Sequence, residues 1–137
     1  MRIIFAAAAL ACMIESAEAL DEADRSAIRG VIEGQLNAFQ RDDAAGAYAH
    51  AAPTIQNLFP NENRFMAMVR ESYRPVYKRR AHAFADLKET PLGLAQSVEI
   101  KGADGVDWIA LYTVERQPDG SWKITGCYLT KAPGEVV

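Results

Sequence analysis

The chain has 137 residues, half of them hydrophobic, with 15 lysine and arginine residues against 18 aspartate and glutamate residues, a formal net charge of −3. This length corresponds to one ordinary domain. The mildly acidic balance argues against non-specific nucleic-acid binding, which needs a basic surface. We therefore expect a single domain with no nucleic-acid partner.

Residues 1–19 have the pattern of a secretory signal peptide. A positive residue is followed by an apolar run over 3–14 and by Ala17-Glu18-Ala19, which matches a small-residue cleavage site. The apolar run is shorter than the roughly 20 residues that span a bilayer. We expect export to the periplasm, cleavage after Ala19, a single domain over 20–137 and no membrane-spanning segment. The alternatives are a first helix of the domain or a lipoprotein signal at Cys12, and the residues before Cys12 do not favour the latter.

The two cysteines do not predict a disulfide. Cys12 would leave with the leader, and Cys127 would then have no partner. The mid-strand position of Cys127 favours a buried, apolar side chain over a reactive thiol.

Helices are predicted for the first half of the mature chain. A long amphipathic helix over 21–42 is indicated by apolar residues at three- and four-residue steps. A short helix over 44–50, a compact apolar turn or short helix over 52–60, and a helix over 62–73 that Pro75 stops follow it. The apolar stripe of the first helix is Ile28, Val31, Ile32, Gln35, Leu36 and Phe39.

Two glycines interrupt the first predicted helix. Gly30 and Gly34 each cost about 1 kcal/mol of helix propensity relative to alanine. Their lack of a side chain would allow another element to approach closely.

Four strands are predicted for the second half. Period-two alternation marks 81–90 and 94–101, and two β-branched and aromatic runs over 106–116 and 122–131 flank a Pro-Asp-Gly turn. In the first strand the alternation puts His82, Phe84 and Asp86 on one face and Ala83, Ala85 and Leu87 on the other. In the second it turns Leu94, Val98 and Ile100 inward.

The turn sets a register for the last two strands. With a three-residue loop, Gln117 lies opposite Ser121. Opposite-charge and Thr–Thr pairs, which contribute roughly 0.2–1 kcal/mol each, favour this register. The predicted pairs are Glu115–Lys123, Thr113–Thr125, Ile109–Leu129 and Asp107–Lys131 on one face, and Arg116–Trp122, Val114–Ile124, Tyr112–Gly126 and Ala110–Tyr128 on the other.

The two faces of this hairpin differ. The core face is predicted to carry Trp108, Tyr112, Val114, Trp122, Ile124 and Tyr128. The other face has charged ends, but its middle carries Ile109, Leu111, Cys127 and Leu129. A sheet face in water alternates apolar and polar residues more cleanly. This middle is therefore either covered within the monomer or a contact surface, and we expect a homodimer through it.

Helices followed by an antiparallel sheet indicate the α+β class. The order is similar to the nuclear-transport-factor-2-like (NTF2-like, cystatin-like) cone, in which a long N-terminal helix and two or three short helices pack on a curved four-stranded antiparallel sheet. Over about residues 24–129 the chain resembles a bacterial family known as domain of unknown function 4864. The motifs that carry this resemblance are Ala52-Pro53-x-Ile55-Gln56-x-Leu58-Phe59, Phe65-x-x-Met68-Val69-x-x-x-Tyr73-x-Pro75-Val76 and Trp122-x-Ile124-x-Gly126. The family resemblance implies a fold and a signal peptide but no reaction, whereas the wider superfamily includes isomerases and dehydratases as well as non-catalytic members.

Little in the sequence carries catalytic chemistry. The mature histidines are His50 and His82, and His82 is a weak candidate for an acid or base. Its neighbour Asp86 is four strand residues away, roughly 13 Å, too far for a direct pair. No metal-ligand spacing or phosphate-binding loop is present, so we expect no metal and no cofactor.

A basic run, Arg74-x-x-x-Lys78-Arg79-Arg80, precedes the first strand. It is either a site for an anionic ligand or a solvated connection that balances a helix C-terminus, and we favour the second interpretation.

Aromatic side chains suggest a pocket inside the cone. The candidates for its lining are Tyr48, Phe65, Tyr73, Phe84, Tyr112 and Trp122. The sequence therefore predicts an exported, non-catalytic module that binds a small apolar or anionic ligand or a protein partner. The alternative is an isomerase- or dehydratase-like enzyme with an acid or base in the cone.

Overall fold

The structure, a computed structural model, describes residues 20–133. Five helices precede four strands. The helices are α1 (Glu22–Gln40), α2 (Ala44–Ala49), α3 (Pro53–Leu58), α4 (Glu62–Ser72) and α5 (Arg74–Tyr77), and the strands are β1 (Arg79–Thr90), β2 (Gly93–Gly102), β3 (Asp107–Arg116) and β4 (Trp122–Lys131). The predicted signal peptide lies outside the described residues.

Side-chain caps fix where the helices begin. The Asp21 carboxylate accepts from the Asp24 amide at 2.8 Å and starts α1, and Asn61 accepts from the Arg64 amide at 2.9 Å and starts α4. Asp43 caps α2 through the Gly46 amide at 2.9 Å. Each cap satisfies an amide that has no partner within its helix.

The helix predicted over 62–73 ends before Pro75 as expected, but a short helix that was not predicted follows it. Helix α4 ends at Ser72, but Pro75 lies in the first turn of the one-turn helix α5. Proline is tolerated there because its missing N–H would have no partner within the helix.

The strands form one antiparallel meander in the order β1-β2-β3-β4. Helix α1 packs its predicted apolar stripe against the inner face of the sheet, with Ile28, Ile32 and Leu36 fully buried. The α+β class is therefore confirmed, and the architecture is consistent with an NTF2-like cone.

The predicted hairpin register holds only near the turn. Arg116–Trp122, Glu115–Lys123 and Val114–Ile124 pair as expected, and then a bulge at Thr125 shifts the remainder by one residue. The observed pairs beyond the bulge are Thr113–Gly126, Tyr112–Cys127, Leu111–Tyr128, Ala110–Leu129, Ile109–Thr130 and Trp108–Lys131.

This bulge reverses the predicted faces of β4. Cys127 and Leu129 pack against the core, whereas Tyr128 is 48% exposed on the outer face. The prediction that Cys127 and Leu129 lie on the outer face is therefore wrong, because one extra residue in a strand moves every later side chain to the other face. Ile109 and Leu111 remain on the outer face.

A bulge in β1 changes the face on which its later side chains lie from the one predicted. Phe84 pairs with Val98 but Leu87 pairs with Gln96, so one extra residue is accommodated between them. Leu87 consequently packs against the core on the same face as Phe84, and the predicted separation of these two side chains is wrong.

Candidate functional site

An apolar groove of about 510 Å³ runs between helices α3 and α4 and the edge strand β4. Three distant segments build it, and it is held together at one end where the Ala52 amide donates to the Ile124 carbonyl at 2.8 Å. This α3–α4 groove is lined by Gln35, Phe39, Ala51, Ile55, Leu58, Phe59, Phe65, Met68, Val69, Ser72, Tyr73, Val76, Ile124, Thr125, Gly126, Cys127 and Tyr128.

An aromatic cluster forms the helical wall of the groove. The Phe65 ring lies 6.3 Å from the Phe39 ring, 5.7 Å from Tyr48 and 6.1 Å from Phe59, measured between centroids. The Tyr48 hydroxyl donates to the Phe59 carbonyl at 2.6 Å, and the Gln56 amide donates back to the Tyr48 carbonyl at 3.1 Å. These contacts fix α3 against α2.

The polar groups of the groove are few. The Tyr73 hydroxyl donates to the Cys127 carbonyl at 3.1 Å, and Gln35 donates to the Ala47 carbonyl at 3.1 Å. Burial raises the pKa of Tyr73, and the neighbouring Cys127 and Tyr128 add to the effect. Burial also raises the pKa of the Cys127 thiol to about 12, against a smaller lowering by Tyr112. Both groups are therefore protonated at neutral pH and add no charge to the wall.

The rim of the groove exposes apolar surface. Leu58 is 72% exposed, far more than the rest of the apolar lining, and Tyr128 is 48% exposed on the opposite side. Such rims cost free energy in water unless something covers them.

Residues 21–137 match the family model described as "Domain of unknown function (DUF4864)". The chain belongs to the DUF4864 family. No curated protein and no solved structure matches it.

In this DUF4864 protein the six predicted pocket residues are not all in one place. Phe65 and Tyr73 line the groove, and Tyr48 lies directly behind its wall. Tyr112 and Trp122 are buried in the core, and Phe84 packs edge-on against His82 at 5.5 Å.

Residues that the sequence reasoning did not select complete the groove of the DUF4864 domain. They come from the 52–60 segment and from the bulged part of β4, and include Leu58, Phe59 and Gly126. All three belong to the motifs that carry the family resemblance, but that resemblance implied no role in a pocket for them.

His82 lies outside the groove, beside a helix carboxylate. The Arg79 Nε–H donates to His82 Nδ1 at 2.9 Å, and His82 Nε2 is 4.0 Å from the Glu33 carboxylate. Burial lowers the pKa of His82, Arg79 lowers it further, and Glu33 acts in the opposite direction. A neutral ring with Nδ1 accepting carries its proton on Nε2, so Nε2 is a donor and not a base in this arrangement.

Two side chains of the basic run of the DUF4864 domain donate hydrogen bonds to groups at the C-terminal end of α1. Lys78 donates to the Gln40 carbonyl at 2.8 Å and to Asp42 at 3.1 Å, and Arg79 donates to the Leu36 carbonyl at 3.0 Å. Arg80 donates to the Ala103 carbonyl at 3.0 Å. These contacts support the interpretation that the run balances a helix C-terminus.

Another cavity, of about 550 Å³, lies at the outer face by β1, β2 and β3. Its wall contains Glu99 and the ion pair between Lys101 and Asp107, whose atoms are 2.8 Å apart. An apolar ligand would desolvate these charges, so the α3–α4 groove is the better candidate site.

Two further structural facts limit the site chemistry of the described residues. Over residues 20–133 no three histidine, cysteine, aspartate or glutamate side chains come close enough to hold a metal ion. Within the same residues no helix combines the length and apolar character needed to cross a bilayer.

Proposed function

We propose that this protein binds a small, predominantly apolar molecule in the α3–α4 groove. The observation that carries the proposal is the groove itself: about 510 Å³, within the roughly 300–1,000 Å³ of small-molecule sites, with a mainly apolar wall. Exposed Leu58 at its rim provides apolar contact, and the Tyr73 hydroxyl inside it provides a polar handle.

The same geometry favours binding over catalysis. An acid–base enzyme needs titratable groups poised near the working pH. The titratable groups of the groove wall are the phenols of Tyr73 and Tyr128 and the thiol of Cys127. The pKa of Tyr73 is raised, and that of Cys127 is raised to about 12. His82, the sequence candidate, lies elsewhere and presents a donor nitrogen.

We also propose that the protein is exported, which the pattern of residues 1–19 supports. The test is intact-protein mass spectrometry of the protein recovered from the host's periplasm. The mass should correspond to a chain that starts at Leu20. A mass that corresponds to a chain starting at Met1 would contradict export by cleavage after Ala19.

The binding proposal is tested with octan-1-ol, a neutral apolar probe, in a ¹H–¹⁵N NMR titration. Saturable shifts are expected at the amides of groove residues such as Tyr73 and Gly126. Met68 is half-buried in the groove wall on α4, whereas its neighbour Ala67 is exposed and outside it. Met68→Trp should fill the groove and weaken octan-1-ol binding at least about tenfold, which corresponds to about 1.4 kcal/mol.

Ala67→Trp is the matched control, because it adds the same ring one residue away on the solvent side of the same helix. Its affinity for octan-1-ol should stay within about twofold of the natural protein. Absence of saturable shifts in the natural protein, or equal losses in the two variants, would refute binding in the groove.

A further inference from the structure

A second cavity, of about 560 Å³, lies on the other side of Tyr73 from the groove. We call it the side cavity; it is formed by the end of α4, the start of α5 and the last half of β4. Its wall consists of Glu71, Ser72, Tyr73, Arg74, Pro75, Trp108, Cys127, Tyr128, Leu129 and Thr130. Four of these, Ser72, Tyr73, Cys127 and Tyr128, also line the α3–α4 groove.

Tyr73 separates the two cavities. Its side chain reaches from the end of α4 to β4, where its hydroxyl makes one hydrogen bond, 3.1 Å long, to the Cys127 carbonyl. Tyr73 is the C-cap of α4 and the residue before α5, with φ −131° and ψ 39°, so it belongs to neither helix. One neutral hydrogen bond and the packing of a half-buried ring hold the phenol, so turning it aside to join the two cavities costs that bond and part of the packing.

The side cavity differs from the groove in its charge. Arg74 lines it and is exposed, and its guanidinium makes no hydrogen bond or ion pair with any other described residue. This distinguishes Arg74 from Lys78, Arg79 and Arg80, which are occupied at backbone carbonyls. Glu71 lies on the same wall and is also exposed, so it opposes an anion there.

The groove is apolar, and it leads past the Tyr73 side chain to the unpaired Arg74 guanidinium. This arrangement suits a molecule with an apolar chain and an anionic end. We propose that the ligand is a linear amphipathic carboxylate, with its apolar chain in the α3–α4 groove, Tyr73 turned aside, and its carboxylate on Arg74. Arginine suits this role because its planar fork binds both carboxylate oxygens. The inference rests on the proposed function and adds the ligand class and the role of two residues.

The test compares decanoate with octan-1-ol in the full protein by NMR titration. Arg74→Gln should weaken decanoate binding about three- to tenfold, a modest loss because Arg74 is exposed to solvent. Octan-1-ol, which has no charge, should bind this variant unchanged. Arg64→Gln is the control, since Arg64 is exposed on α4 and lines neither cavity.

Two further variants separate the roles of Tyr73 and Glu71. Tyr73→Phe keeps the ring but removes the hydrogen bond that must break, so decanoate should bind up to about fivefold tighter. Octan-1-ol should not gain affinity in this variant, because it loses the Tyr73 hydroxyl as a polar contact in the groove. Glu71→Gln should also tighten decanoate binding, because it removes the opposing charge.

The outcomes distinguish the two proposals. If octan-1-ol does not bind the natural protein, the proposed function fails and this inference fails with it. If octan-1-ol binds but Arg74→Gln leaves the affinity for decanoate unchanged, only the proposal that Arg74 binds the ligand's carboxylate is refuted. If Tyr73→Phe leaves decanoate binding unchanged or weakens it, the role of Tyr73 as a displaceable partition is refuted.

Discussion

Replacing the two glycines of α1 with alanine should give opposite results. Both lie in the helix interior, where alanine is favoured over glycine by about 1 kcal/mol. A Cβ at Gly30 would meet no atom within 4 Å. Gly30→Ala should therefore stabilise the protein by about 0.5–1 kcal/mol and raise its melting temperature by roughly 2–5 °C at this chain length.

The surroundings of Gly34 are different. A Cβ there would lie 2.7 Å from His50 Nε2 and 2.9 Å from His50 Cε1, closer than real carbon contacts allow. The imidazole can turn, but its backbone is held because the His50 carbonyl accepts from the Ile124 amide at 2.9 Å. Gly34→Ala should consequently lose the propensity gain and be about 1 kcal/mol or more less stable than Gly30→Ala.

Urea unfolding of both variants measures the difference, and a double-mutant cycle with His50→Ala identifies the cause. Once His50 is truncated, Gly34→Ala should recover the gain seen at Gly30. If Gly34→Ala is as stabilising as Gly30→Ala, and truncating His50 changes nothing, the close approach of α1 to the end of α2 is not what the glycine serves.

Two other predictions concern the outer face and pH. The homodimer through the outer face stays a prediction; if it forms, Leu111→Asp should yield a folded monomer, because a carboxylate would be desolvated at that interface. Sedimentation of the natural protein as a monomer at high concentration would refute the predicted dimer. Burial lowers the pKa values of His50 and His82 from the ordinary 6.5, so folding favours the neutral rings. The contribution of these two histidines to the free energy of unfolding is complete above about pH 6.5, and it is lost as the pH falls through their pKa values in the folded protein. Urea unfolding should show a loss between pH 7.5 and 5.5 that His50→Gln with His82→Gln reduces, and an equal loss in the double variant would contradict it.

The local signals of the sequence were sufficient for the elements and their order. The apolar stripe of α1 is set by residues within a few positions of each other, and it appears in the structure. The same holds for the turn at Gly120, where a φ of +86° requires glycine's freedom. Pairs adjacent to this turn follow from its loop length alone.

The register of β4 beyond the turn was not predictable in this way, because it depends on contacts along both edges of the strand. The bulge at Thr125 begins where the amide and carbonyl of Ile124 are bonded to His50 and Ala52, two residues more than 70 positions away. Beyond it the Thr125 hydroxyl donates to the Thr113 hydroxyl at 2.7 Å, so even the broken register keeps one predicted neighbour. The neighbouring Gly126 is compatible with a bulge, but it does not require one, and the faces of Cys127, Tyr128 and Leu129 were therefore assigned wrongly.

The candidate site, too, was predictable from the sequence only in part. Phe65 and Tyr73 were predictable as pocket residues because aromatic side chains on an amphipathic helix face inward. Their relation to β4 was not, because the hydrogen bond from Tyr73 to Cys127 joins residues 54 positions apart. The sequence by itself determined the fold class, helices α1 to α4, the four strands and the buried stripe of α1, since periodicity and capping are local. Only the tertiary structure decided which side of β4 faces the helices and where the groove opens, because both depend on packing between segments that are distant in the chain.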